Sequence, residues 1–277
     1  MARRIGTYNT LTISKRTDFG VYLDADNLGE ILLPKRYVPR TCDVGDSITV
    51  FLYLDSDDIP IATTERPLVT LNESAFLKVK EVNHYGAFLD WGLSKDLLVP
   101  FSEQQVPMEA GKSYVVYVYQ DERTERLVGT TKLGKYLREE SQYLQKTQTV
   151  DLLIYGRTDL GFKAVINQLY VGVIFSNEVF QPLKMGQQLK GYIKQIRDDG
   201  KIDLTLSKIA SEDRDDLVEK IVSYLKAHGG ESTLTDKSAP DDIYNCFEVS
   251  KARYKKALGQ LYRDKKISLS REKITLL

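Results

Sequence analysis

Two histidines, two cysteines and one tight acidic run are the groups in this chain with the means for acid–base, nucleophilic or metal chemistry. His84 falls at a strand turn and His228 at a helix end, and neither has a carboxylate or serine at a spacing that makes a catalytic set. Cys42 and Cys246 stand far apart without CxxC spacing, which argues against a disulfide framework or a cysteine zinc site and reads as two plain core thiols. Asp55, Asp57 and Asp58 have the chemistry for a divalent cation, but in a turn they are expected simply to be solvated. No GxxxxGK[ST], HExxH or GxSxG phrase occurs. The expectation is a protein that is not an enzyme and carries no metal and no cofactor.

Rings interleaved with cations offer a different chemistry, because bases stack on aromatic faces and phosphates seek Lys or Arg. Lys190, Tyr192 and Lys194 alternate by two, so a strand there puts all three on one face. Near the C-terminus Arg253, Lys256, Gln260 and Arg263 follow at helical steps, opposite a stripe of Tyr254, Ala257, Leu258 and Leu261. Lys251 and Arg253 would occupy the first turn of that helix, where the dipole disfavours cations by roughly 0.3–1 kcal/mol at low salt. A bound phosphate would offset that cost.

The elements that position these groups come from internal repeats. Asp18-Phe19-Gly20-Val21-Tyr22-Leu23-Asp24 recurs as His84-Tyr85-Gly86-Ala87-Phe88-Leu89-Asp90, and Gly20 to Gly86, Pro34 to Pro100 and Gly45 to Gly111 are each 66 residues apart. A third copy follows 75 residues on, where Gly86 maps to Gly161, Pro100 to Phe175 and Gly111 to Gly186. The extra residues fit a helix-like spacer. In each copy β-branched and aromatic residues alternate between Gly, Pro and Asp turn signals, which predicts five short strands. In the second copy these are about 76–82, 86–90, 96–101, 114–119 and 127–131. The register then maps Tyr192 onto Tyr117 and Phe51.

Beyond about residue 210 the texture turns helical. Ser211 precedes an acid-rich first turn, Leu217, Ile221 and Leu225 recur at i+4, and Gly229-Gly230 stops the helix. Ala239-Pro240-Asp241-Asp242 opens a second helix through Phe247, and Ser250 caps a third through about Lys265. Stretches 267–270 and 274–277 form a terminal hairpin. Three helices and a hairpin give the winged-helix order.

Five strands in about 65 residues is the size of a small OB barrel. The Tyr85-Gly86-Ala87-Phe88-Leu89 run, Leu97-Leu98-Val99-Pro100, and Gly111 before a Val-rich strand resemble the S1 type of OB fold, an RNA-binding module. Met185-Gly186-Gln187-Gln188-Leu189-Lys190-Gly191 and Asp198-Asp199-Gly200-Lys201-Ile202-Asp203-Leu204 resemble it most closely. Three such repeats with the winged-helix ending resemble the conserved virulence factor B family of bacterial RNA-binding proteins over essentially the whole chain. The expected fold is mostly β with a C-terminal α+β module. It comprises S1-like OB-fold repeats at 1–70, 71–134 and 147–210, a helical spacer at 135–146, and a winged-helix domain at 211–277.

The resemblance implies that Phe19 with Tyr22, and Tyr85 with Phe88, are the rings presented to bases, whereas the third copy has Leu160 and Lys163 there. It also exposes departures. Where many S1 domains carry His, this chain has Pro34, Pro100 and Phe175; where many carry Arg before the last strand, it has Pro60, Leu127 and Asp203. In the winged helix Lys265, Lys266, Arg271 and Lys273 would flank the basic third helix.

Charge balances at 39 basic against 39 acidic residues, which argues against coating nucleic acid by bulk charge. The distribution leans C-terminal, with 8 basic and 10 acidic residues in 1–70 but 9 and 2 in 251–273. The first two repeats therefore read partly as spacers. No spanning apolar stretch or signal segment is evident, so no membrane role and a cytoplasmic location are expected. The expected function is non-catalytic binding of single-stranded RNA, for post-transcriptional and virulence regulation, through the third repeat and the winged helix. Its RNA-contact residues would be Phe19, Tyr22, Tyr85, Phe88, Lys163, Lys190, Tyr192, Lys194, Lys251, Arg253, Lys256, Arg263, Lys265 and Lys266. RNA-processing or translation machinery would be its protein partners. The alternatives are a protein-binding scaffold and a winged-helix DNA-binding transcription regulator.

Overall fold

The computed structural model describes residues 4–179, 182–206, 213–247, 249–270 and 272–277. The chain forms two compact units, Met1–Arg138 and Glu139–Leu277. The first holds two five-stranded closed barrels. Barrel one comprises β1 Tyr8–Thr17, β2 Gly20–Asp24, β3 Glu30–Pro34, β4 Ser47–Leu54 and β5 Pro60–Thr63. Barrel two comprises β6 Ser74–Asn83, β7 Gly86–Asp90, β8 Leu97–Pro100, β9 Ser113–Gln120 and β10 Leu127–Thr130. The second unit opens with barrel three: β11 Thr149–Thr158, β12 Gly161–Ile166, β13 Tyr170–Phe175, β14 Gln188–Ile196 and β15 Ile202–Thr205. In each barrel the last strand lies between the third and the fourth and runs parallel to the third. That order is the OB topology.

The glycines that repeat along the chain have two structural jobs. Gly20, Gly86 and Gly161 have φ of +152°, +147° and +154°. A Cβ on them would fall 2.1, 2.3 and 2.1 Å from the carbonyl oxygens of Leu33, Val99 and Ile174, so the second strand can cross the third only where no side chain exists. Gly45, Gly111 and Gly186 turn the chain into the fourth strand with φ of +94°, +83° and +77°. Their N–H groups donate to the carbonyls of Ile13, Val79 and Ile154 at 2.9, 2.9 and 2.8 Å. At those same residues the long first strand of each barrel bulges. Bulge and glycine turn lock together three times over.

Barrels one and two are fused through a shared core. Phe51, Tyr53 and Val69 of the first cluster with Trp91, Leu93 and the interior of the second. Polar contacts rim this seam: Arg126 pairs with Asp58, Lys95 lies 3.8 Å from Asp58, and the Leu68 N–H donates to the Trp91 carbonyl at 2.7 Å. Asp55 Oδ1 accepts the Asp57 and Ile59 N–H groups at 2.9 and 3.0 Å. The acidic run is thus a turn in which Asp57 is exposed, as expected, while Asp58 is held against barrel two by Arg126 and Lys95. Among the described residues no group of three or more His, Cys, Asp or Glu could hold a metal ion.

The stretch 135–146, expected to be a helical spacer, is not helical. It has one 3-10 turn at Leu133–Lys135 and then turns. Buried Ser141 explains part of this, because its Oγ accepts the N–H groups of Tyr143 and Leu144 at 3.1 Å each and diverts them from helical bonding. Glu140 instead bridges to Lys201.

The C-terminal module comprises α1 Asp213–Ala227, β16 Glu231–Ser232, α2 Pro240–Phe247, α3 Lys251–Arg263, β17 Ile267–Leu269 and β18 Ile274–Leu276. Its sheet order is β16-β18-β17. Leu217, Ile221 and Leu225 of α1 and the Tyr254, Ala257, Leu258, Leu261 stripe of α3 form one core. The Tyr254 hydroxyl, buried with them, donates to the Leu234 carbonyl at 2.7 Å. The two-residue β16 is an addition to the expected order, too short to carry a periodicity. Ser211 and Arg271 lie outside the described residues. Cys42 is half-buried, but Cys246 is exposed on α2 and is not a core thiol. Among the described residues no helix is long and apolar enough to cross a membrane.

Candidate nucleic-acid interface

The β1–β2 hairpin of each barrel and its counterparts present the same two positions. The first sits at the hairpin tip before the landmark glycine and is exposed: 77% for Phe19, 63% for Tyr85 and 64% for Leu160. The second lies two residues past that glycine, half-exposed as Tyr22 and Phe88 and exposed as Lys163. The cross-strand neighbour of this second position sets its electrostatics. It is Lys15 beside Tyr22, Glu81 beside Phe88 and Gly156 beside Lys163. Lys15 Nζ lies 4.4 Å from the Tyr22 ring centroid and 2.6 Å from Glu30, so its ammonium is held over the ring, and bonding to Glu30 raises its pKa above the ordinary lysine value.

Barrel one also gathers cations that its negative net charge hides. A groove beside Phe19 is lined by Arg16, Thr17, Asp18, Gly20, Val21, Lys35 and Val38. Arg16 bonds the Cys42 carbonyl and lies 3.3 Å from Asp43. Lys35 and Arg36 open the turn after β3, both exposed, with the Arg36 guanidinium 4.6 Å from the Tyr37 ring. The corresponding residues are Phe101 and Ser102 in barrel two and Ser176 and Asn177 in barrel three. Counting charge by domain misses this; the signal is the local Pro34-Lys35-Arg36 run directly opposite the Phe19 hairpin.

On the fourth strands the expected equivalence of Phe51, Tyr117 and Tyr192 holds, because they pair with Thr63, Thr130 and Thr205. Phe51 is fully buried, edge-on to Tyr8 and Trp91 with centroids 5.5 and 5.9 Å away. Tyr117 is buried under Tyr136. Tyr192 is half-exposed. Its neighbours Lys190 and Lys194 are both ion-paired, to Asp151 and Glu178, each at 2.6 Å. Asp203 is buried and bound by Arg197 and Gln195 at 2.7 and 2.8 Å. A bulge in β14 between Ile193 and Gln195 shifts the register by one. That puts Gln195 opposite Asp203; the pairing of β15 with β13 makes Asp203 the match of Ile61 and Val128, and Ile202 the residue that matches Pro60 and Leu127.

In the winged helix Ser250 caps α3, its side chain accepting the Arg253 N–H at 3.2 Å. Lys251 reaches the Lys237 carbonyl at 3.3 Å. Arg253 is half-buried, while Lys256 and Arg263 are exposed, as is Lys255, which the stepwise reading of the face passes over. Lys265 and Lys266, both exposed, end the helix in a Schellman turn: the Lys266 N–H donates to the Leu261 carbonyl at 2.9 Å and Lys265 takes φ +54°, where glycine is the usual residue. Lys273 pairs with Glu231 at 2.7 Å and ties the hairpin to β16.

Fold and surface define a class: tandem S1-type OB barrels followed by a winged helix. The S1 domain family matches residues 5–65 and 74–132, and the CvfB-like winged helix domain matches 219–276. The chain thus carries S1 domains and a CvfB-like winged helix domain, and it has homologues named conserved virulence factor B and YitL over most of its length. It is 29% identical over 281 residues to the uncharacterized protein YitL of Bacillus subtilis, covering 95% of this chain and 91% of that one. It is 25% identical over 241 residues to conserved virulence factor B of Staphylococcus epidermidis, covering 84% and 81%, and equally identical to that of Staphylococcus aureus, covering 84% and 80%. A solved multidomain protein with nucleic acid binding domains from Streptococcus pneumoniae is 25% identical, with 99% and 98% coverage and a TM-score of 0.42. The matched families are nucleic-acid-binding domains rather than enzymes.

Proposed function

We propose that the protein binds single-stranded RNA without catalysis and regulates gene expression in the cytoplasm after transcription. Bases stack on the hairpin-tip rings of barrels one and two, and phosphates run along the basic face of the winged helix. The observation that carries this is the pair of exposed rings at equivalent hairpin tips, Phe19 and Tyr85, each followed by a second ring on the same barrel face. Exposed rings repeated at one position offer flat faces on which unpaired bases can stack. The Lys15 ammonium over Tyr22 and the Arg16, Lys35 and Arg36 cluster add the charge that a nucleic-acid backbone seeks. On this reading barrel one is a contact module rather than a spacer.

Replacing Phe19 and Tyr85 by alanine tests it. Each substitution is expected to weaken binding of an unstructured RNA oligonucleotide by about 1–3 kcal/mol while leaving the salt dependence unchanged. Both side chains are exposed, so the melting temperature should stay with the parent's. Unaltered affinity in the double variant would remove the hairpin tips from the interface.

A further inference from the structure

In barrels one and two a second ring covers the aromatic face of the fourth strand. Trp91 stands edge-on to Phe51 with centroids 5.9 Å apart. Tyr136 lies nearly parallel to Tyr117, 16° off at 4.8 Å, and reaches Tyr119 at 4.8 Å as well. Tyr136 arrives on the turn after β10, anchored by Lys135, whose Nζ is 2.8 Å from Glu103 Oε1. Burial alone would raise the Glu103 pKa, but bonding, to Lys135 foremost, outweighs it and holds the carboxyl low. This face thus accepts a second ring in both barrels, edge-on in the first and face-on in the second.

Barrel three keeps the ring and changes what surrounds it. Glu178 stands at the position of Glu103, each closing the 3-10 turn after the third strand. Its cation comes from within the barrel: Lys194, at the β14 bulge two residues past Tyr192, sits 2.6 Å from Glu178 Oε1, and the Thr205 hydroxyl donates to Oε2 at 2.8 Å. The anchor that a covering segment uses in barrel two is already satisfied. Among the described residues no ring lies against half-exposed Tyr192.

We infer that Tyr192 is an open stacking platform for one RNA base, with the adjoining phosphate beside Lys190. This rests on the RNA-binding reading and adds to it a site on the fourth strand. A base fits better than an aromatic side chain of a protein partner because the fourth strand here carries one tyrosine with lysines on both sides of it. Lys190 is available, since its pair with Asp151 is well exposed, where such pairs hold weakly and phosphate competes, whereas Lys194 stays with part-buried Glu178 at the edge of the site.

The test uses the full chain with Tyr192→Trp, Tyr192→Phe and Tyr192→Ala. Trp91 is the single native tryptophan and is buried, so it contributes a constant background. A single-stranded RNA 12-mer should quench the introduced indole over the concentration range in which anisotropy reports binding, and an abasic 12-mer should not. Tyr192→Phe should bind like the parent, and Tyr192→Ala should bind about 5- to 150-fold more weakly. Binding by anisotropy with no change in indole emission, and equal affinity in Tyr192→Ala, would overturn the platform while leaving the RNA reading intact. Quenching by a tryptophan-containing peptide but not by RNA would assign the face to a protein. Absence of any RNA binding in the parent would overturn both.

Discussion

Phe51→Ala is expected to destabilise the first unit by about 3–5 kcal/mol, the range for removing a fully buried phenylalanine from a core that cannot collapse around the gap. The ring is inaccessible and touches Tyr8, Tyr53 and Trp91, so its loss opens a cavity between two barrels rather than inside one. Barrels one and two should weaken together, as a single shifted transition in urea. Phe19→Ala, at an exposed ring, should stay within about 0.5 kcal/mol of the parent. A Phe51→Ala variant as stable as Phe19→Ala would mean that the barrels do not share a core.

That contrast also marks how far the sequence could be read. The repeat landmarks were legible because each answers a backbone demand: Gly20, Gly86 and Gly161 let two strands cross, and Gly45, Gly111 and Gly186 turn with positive φ onto the first-strand bulge. The buried stripe of α3 was legible from its spacing. The equivalence of Phe51, Tyr117 and Tyr192 was legible too, but their fates were not, since the covering rings Trp91 and Tyr136 come from other elements at long sequence separation. Charge was the weakest guide. Lys190 and Lys194 share a face as alternation requires, yet each is paired with a carboxylate from another strand or turn. The pairing of β15 with β13 sets Asp203 level with Ile61 and Val128, one position from Pro60 and Leu127, an offset no pattern of alternation announces.

Replacing Arg253, Lys256 and Arg263 together by alanine is expected to weaken RNA binding and flatten its salt dependence. The slope of log affinity against log salt should fall by about 0.7 for each phosphate no longer neutralised, about 2 for the three. Base composition of the RNA should hardly change the effect, because these side chains meet the backbone and not the bases. Stability should be preserved, since the core stripe of Tyr254, Ala257, Leu258 and Leu261 is untouched and alanine favours the helix. A folded triple variant with the parent's affinity and slope would leave the basic face as solvated surface.

Competition binding by the full chain among single-stranded RNA, single-stranded DNA and duplex DNA of one sequence, at one salt concentration, tests the central claim most directly. The hairpin-tip rings need unstacked bases, so both single strands should displace a labelled RNA far better than the duplex, with RNA ahead of DNA. Preferential displacement by duplex DNA would contradict the account and make the winged helix a groove reader. Displacement by none of the three would assign the exposed rings to a protein partner.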